Sequence, residues 1–299
     1  MSVAEDSVNQ LAGPLESGVL FAARRSGLSR SDDGGRTWTS AYAALALTAP
    51  LATSAVACSP GFAADGGVFA AVPSAILRSI DGGRQWEAAA LPPPLLYVSA
   101  LAVSPNFAAD GQVFAGTVAD GVWVSTDRGQ SWAAWNFGLV DRRIMALTAA
   151  ANEAGEPTLW AGTETGLFRS WNAGRAWREV ALPAPRAALL SLAASAAGLF
   201  AGTEAGLLVS MDHGRAWRRL AARRLTGPIN ALWLSPHFAV DQTLAVIHAD
   251  DLWLSADAGR SWTPRLLSEG AAPVAVAGST PEALCVGLAD GRLVPVPNL

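Results

Sequence analysis

The chain has 299 residues, of which 51% are hydrophobic and 15% charged, with a net charge of −4. Those values exclude a disordered chain and give no electrostatic footprint for nucleic acid. The two cysteines, Cys58 and Cys285, make neither a disulfide framework nor a metal-ligand spacing, and read as small buried hydrophobes.

At the N-terminus, MSVAEDSVNQLAG has no basic segment followed by an apolar run, so no signal peptide is expected and a cytoplasmic location follows. The uncharged stretch from Thr37 to Ala64 is broken by Pro50 and Pro60, which argues against membrane insertion. The first clear strand pair is VLFAARRSGLSRS, which runs into the octapeptide SDDGGRTW at Ser31. Related octapeptides start at Ser79, Ser125, Ser170, Ser210 and Ser255, at intervals of 48, 46, 45, 40 and 45 residues. The pattern is S-x-[DN]-x-G-x-x-W. Its fixed positions are Ser31, Asp33, Gly35 and Trp38, then Ser79, Asp81, Gly83 and Trp86, then Ser125, Asp127, Gly129 and Trp132. They continue as Ser170, Asn172, Gly174 and Trp177, then Ser210, Asp212, Gly214 and Trp217, then Ser255, Asp257, Gly259 and Trp262.

Each copy follows alternating apolar runs with a glycine turn, such as VFAGTVADGVWVS and LFAGTEAGLLVS. A second signature, SPGFAAD at Ser59, SPNFAAD at Ser104 and SPHFAVD at Ser235, links the first and second strands. Its Pro ends a strand, its Phe is expected in the core, and its Asp is expected to accept turn N–H groups. A seventh, degenerate unit carries VAVAGS, EALCVGLAD and GRLVPVP, with Pro295 where the boxed Ser belongs. Four short strands per repeat predict an all-β, single seven-bladed β-propeller of four-stranded antiparallel blades. Blades of about 1–45, 46–92, 93–138, 139–183, 184–224, 225–268 and 269–299 follow, with residues 7–13 expected to supply the inner strand of blade 1.

The octapeptide reads as a hairpin turn between the third and fourth strands. Ser and Asp oxygens would accept free backbone N–H groups, Gly would take a positive φ, and Trp would fill the gap between blades. Asn172 suits a site that needs only a hydrogen-bond acceptor. On these residues the chain resembles the Asp-box, or BNR-repeat, propellers over nearly its whole length. That family includes sialidases, xyloglucan-cleaving glycosidases, sortilin-type receptors and photosystem II assembly factors, so the resemblance implies the fold and leaves the function open.

Propeller topology puts the octapeptide turns and SPxF links on one face. The turns between second and third strands (B–C) and the links between blades (D–A) lie on the other. The second face carries Asp120, Glu164, Glu204, Asp250, Asp251 and Asp290, which would form an acidic ring at the channel mouth and could serve glycoside hydrolysis. The same residues serve equally as solvated turn formers. Arg142, Arg143, Arg218, Arg219, Arg223 and Arg224 lie in or beside the links, with Arg24 and Arg25 in the first turn. Bidentate guanidinium groups suit carboxylates or phosphates, although rim arginines also snorkel over apolar surface.

The resemblance also implies what a sialidase would need, namely a late Tyr nucleophile and an N-terminal Arg-Ile-Pro. Tyr42 and Tyr97 are both early, and that tripeptide is missing. His213, His237 and His248 show no metal spacing, and no cofactor motif or nucleophile elbow is present. The leading expectation is a non-enzymatic module, like the assembly factors, that binds a protein partner on the B–C/D–A face. The alternative is glycan binding or cleavage at the channel-mouth carboxylates, with Trp135 and Tyr97 as aromatic platforms. A purely structural component of a larger assembly is the third.

Overall fold

The structure is a computed structural model that describes residues 6–14, 17–91, 97–152, 154–183, 186–220, 224–265, 267 and 270–296. Seven antiparallel sheets follow one another along the chain, each a meander, and stand around a common axis as a seven-bladed β-propeller. The inner strands are Val8–Ala12, Ala55–Cys58, Val98–Val103, Ile144–Ala151, Leu189–Ser195, Ile229–Leu234 and Pro273–Gly278. Six sheets have four strands. Among the described residues the seventh has three, ending at Leu293–Pro295.

Val8–Ala12 is the inner strand of blade 1, paired with Leu20–Arg24, and it lies against the inner strand of blade 7. Closure is thus made by packing between neighbouring blades. Gly287 permits it: a Cβ there would come within 2.6 Å of the Val8 side chain.

Apolar alternation places the core in wedges between blades, each wedge filled from both sides. The tryptophan of each octapeptide reaches back toward the preceding blade. The Trp86 indole N–H donates to Ala41 O at 2.8 Å and that of Trp177 to Trp135 O at 2.9 Å. Trp38 packs with Ala275 and Cys285 of blade 7. Blade 7 has no such tryptophan. Trp233, from the inner strand of blade 6, fills that wedge instead and donates to Gly278 O at 3.0 Å.

The octapeptide turns share one hydrogen-bond plan. In the first, Ser31 Oγ accepts Gly35 N–H at 2.9 Å and donates to Asp33 Oδ1 at 2.8 Å, while Asp33 Oδ1 also accepts Thr37 N–H at 2.8 Å. Asn172 Oδ1 does the same work, taking Ala176 N–H at 2.9 Å. The residue before the invariant Gly is left-handed as well, whether Gly34, Gly82, Arg128, Ala173, His213 or Ala258.

These carboxylates are held well below their ordinary range. Hydrogen bonds from the Thr37 hydroxyl, its N–H and Ser31 bring Asp33 from 3.8 to about 2. Asp127 also sits at about 2: slight burial pushes it up, and bonds from Ser131 and Ser125 outweigh that. A carboxyl whose folded pKa is depressed adds stability above its unfolded pKa and loses it as pH falls through the folded value. The urea midpoint should therefore drop between pH 3.8 and about 2. A protein carrying Asp33→Asn and Asp127→Asn should show a flatter pH profile there. Equal slopes for the two proteins would refute this account.

The SPxF links, expected from sequence as turns with a core Phe, fold as single helical turns, Phe62–Asp65, Phe107–Asp110 and Phe238–Asp241. All three Phe are buried, and Asp65 accepts from Ser59 Oγ at 2.6 Å and Gly67 N–H at 2.8 Å.

Candidate functional site

The inner strands begin at the B–C/D–A face, and in six of seven blades a β-bulge interrupts their pairing at that end. A bulge re-aims side chains. Here several reach the next blade: Asn9 Nδ2 donates to Thr53 O at 2.8 Å, Ser54 Oγ to Val98 O at 2.7 Å, Ser99 Oγ to Ile144 O at 2.5 Å and Ser191 Oγ to Ile229 O at 2.9 Å. Asn9, Ser99 and Ser191 border a central channel space of about 200 Å³ whose lining includes Gln10, Asn230 and Met145 and, among the described residues, no charged one.

None of the six carboxylates expected at the channel mouth lines that space. They sit further out, in the turns. Asp120 O accepts Asn136 Nδ2, so its turn is tied to the following link. Glu164 is exposed and pairs with Arg143 at 3.2 Å. Glu204 and Asp250 are exposed, and Asp251 begins a strand. Asp290 pairs with Arg292, whose N–H and guanidinium lower its pKa. Among the described residues no group of three His, Cys, Asp or Glu could hold a metal. The expected acidic ring is therefore a set of separate turn residues, because B–C turns lie away from the axis that only inner strands border.

The arginines divide. Arg142 and Arg143 are exposed in the link between blades 3 and 4. Asp141, which belongs to no repeated motif, clamps that link. It accepts Thr165 Oγ1 at 2.7 Å and Arg143 N–H at 3.0 Å, which lowers its pKa against the upward push of burial. Arg218 and Arg219 do not form one patch, because neighbouring strand residues point to opposite sides. Arg219 turns in and donates to Ala205 O, while Arg218 is exposed. Arg224 is exposed, and Arg223 lies outside the described residues.

Arg219 also borders a crevice of about 140 Å³ between blades 4 and 5, with Arg186 and Glu179, paired at 3.0 Å, and the apolar Val180, Leu182, Pro183 and Leu208. A lone Arg in an alanine- and proline-rich link carried no signal for this in the sequence.

No family model and no curated protein matches the chain. Solved structures do. A GH74 xyloglucanase from Xanthomonas campestris superposes with TM-score 0.75 at 22% identity, covering 100% of this chain and 53% of the enzyme. YCF48 bound to D1 peptide gives 0.72 at 15% identity, with 99% and 93% covered. YCF48 from Cyanidioschyzon merolae gives 0.66 at 16%, with 98% and 96% covered. The chain spans about half the length of the xyloglucanase and nearly all of both YCF48 chains. No helix among the described residues is long and apolar enough to cross a membrane. At these identities the likeness is one of fold, and the chain shares the seven-bladed β-propeller of the GH74 and YCF48 structures.

Proposed function

We propose that the chain is a non-enzymatic binding module that captures an acidic, extended segment of a partner protein on its B–C/D–A face. The observation that carries this reading is the run of exposed guanidinium groups at successive links, Arg142 and Arg143, then Arg186, then Arg224, with Arg186 on the wall of the crevice between blades 4 and 5. Guanidinium forks take carboxylates bidentately, and the crevice offers apolar walls to a side chain between them. The link held by Asp141 and Asn136 presents Arg142 and Arg143 with little ordering cost on binding. That YCF48 has a structure with a D1 peptide supports a peptide ligand for this shape of molecule.

The test is fluorescence anisotropy with a labelled glutamate-rich peptide. Arg142→Glu combined with Arg224→Glu should weaken binding by at least about tenfold, since a lost charge-assisted contact is worth roughly 1.5–3 kcal/mol. Affinity should also fall as salt rises. Unchanged affinity in the double variant would end the proposal. The alternative of glycan chemistry at the channel mouth has less support, because no carboxylate among the described residues borders the channel.

A further inference from the structure

The octapeptide face has a feature that the partner-binding reading does not use. A cleft of about 680 Å³ opens between blades 3 and 4, walled by the blade 3 link at Asn106, the blade 4 hairpin at Glu156 and the blade 4 octapeptide from Trp171 to Arg175. We infer that this cleft binds a neutral sugar unit of a glycan, with Trp171 as the stacking platform.

Blade 4 departs from blades 2, 3 and 6 at each wall. Where blades 2, 3 and 6 carry a Phe-bearing helical turn, blade 4 has a tight hairpin. Its Asn152 Oδ1 accepts the N–H groups of Ala154 and Glu156, both at 2.9 Å. Asn106 Nδ2 donates across the blades to Gly155 O, so the two walls are fixed to each other. At the second octapeptide position blade 4 has Trp171, where the others have Asp32, Ile80, Thr126, Met211 and Ala256. The indole lies 4.8 Å from the Arg169 guanidinium and 5.8 Å from that of Arg178, and Trp171 remains 44% exposed.

The third position matters most. In blades 1, 3 and 6 the second oxygen of the octapeptide Asp accepts a hydroxyl from Thr37, Ser131 or Ser261. In blade 4 the hydroxyl residue is replaced by Ala176 and the Asp by Asn172. The turn still forms through Asn172 Oδ1, which leaves the Nδ2 group on the cleft wall as a donor with no partner among the described residues. Glu156 supplies an acceptor and Arg175 further donors. Hydroxyl groups of a pyranose need donors and acceptors together, and its C–H face suits an aromatic ring. The other apolar lining residues are Ala109, Ala154, Ala173 and Pro157, too small and shallow to hold a large apolar side chain of a peptide. The wall carboxylates Asp110 and Glu156 outnumber the one cation, Arg175, which disfavours an anionic ligand and suits a neutral one.

The experiment is a glycan array on the full chain, followed by tryptophan-fluorescence titration with neutral gluco-, xylo- and manno-oligosaccharides. Saturable binding is expected, lost in Trp171→Ala. Asn172→Asp restores the residue of the other blades and so keeps the turn. It should weaken binding by about fivefold or more, the scale of one hydrogen bond. Arg142→Glu on the opposite face should leave sugar affinity unchanged, so this test and that of peptide capture fail independently. No fluorescence response up to millimolar sugar overturns the inference. Affinity that survives both cleft substitutions, or a cleft that takes a peptide instead, does so equally.

Discussion

Replacing Trp86 with alanine should destabilise the propeller by about 3–5 kcal/mol, the usual range for emptying a buried aromatic site. Trp86 is 8% exposed and sits in the wedge between blades 1 and 2, edge-on to Tyr42 with ring centroids 5.5 Å apart. Its N–H supplies a hydrogen bond to Ala41 O of the neighbouring blade. Alanine would remove the ring, leave a cavity that two rigid sheets cannot close, and strand a buried carbonyl. Trp86→Phe separates these effects: it keeps most of the volume and should cost about 1 kcal/mol for the bond alone, plus a smaller packing loss. Denaturant midpoints of the three proteins measure this. A cost below about 1 kcal/mol for the alanine variant would show that blade contacts survive without the indole, against the range for such truncations.

Gly83→Ala is the second large effect, expected at about 2–5 kcal/mol from two sources. The residue has φ +83°, where a side chain meets its own carbonyl, at about 1–2 kcal/mol. A Cβ there would also lie 2.7 Å from the Phe21 ring of blade 1, and such overpacking costs about 1–3 kcal/mol. Gly34 provides the contrast. It has φ +73° but nothing within 4 Å, so Gly34→Ala should show the backbone cost alone. Ala173→Gly, at φ +58°, should stabilise by up to about 1 kcal/mol, because relief of a left-handed alanine, about 1–2 kcal/mol, outweighs glycine's extra chain entropy of about 0.4–1. If Gly83→Ala and Gly34→Ala cost the same, the close approach between blades plays no part.

The octapeptide was legible because its chemistry is local. Ser, Asp, Gly and Trp within eight residues satisfy one turn's backbone and plug one wedge, so spacing alone announces the blade. The candidate sites were legible only in part. Arg142 and Arg143 are exposed in the link between blades 3 and 4, whereas Arg218 and Arg219 split because adjacent strand residues face opposite ways. Asp120, Glu164 and Asp290 stay in turns tied to Asn136, Arg143 and Arg292 and outside the channel lining, which turn chemistry alone does not reveal.

From its sequence alone this chain declares seven repeated sheets, the turns that join them and the tryptophans between them, since each depends on contacts within a repeat or with the next. Tertiary structure decided the rest: that Trp233 fills the wedge blade 7 leaves open, that the channel is lined by uncharged inner-strand residues, and that Arg186, Arg219 and Glu179 share one crevice. Those arrangements join residues from different blades, and their geometry is set by how far each blade turns about the common axis, which no spacing within a repeat encodes.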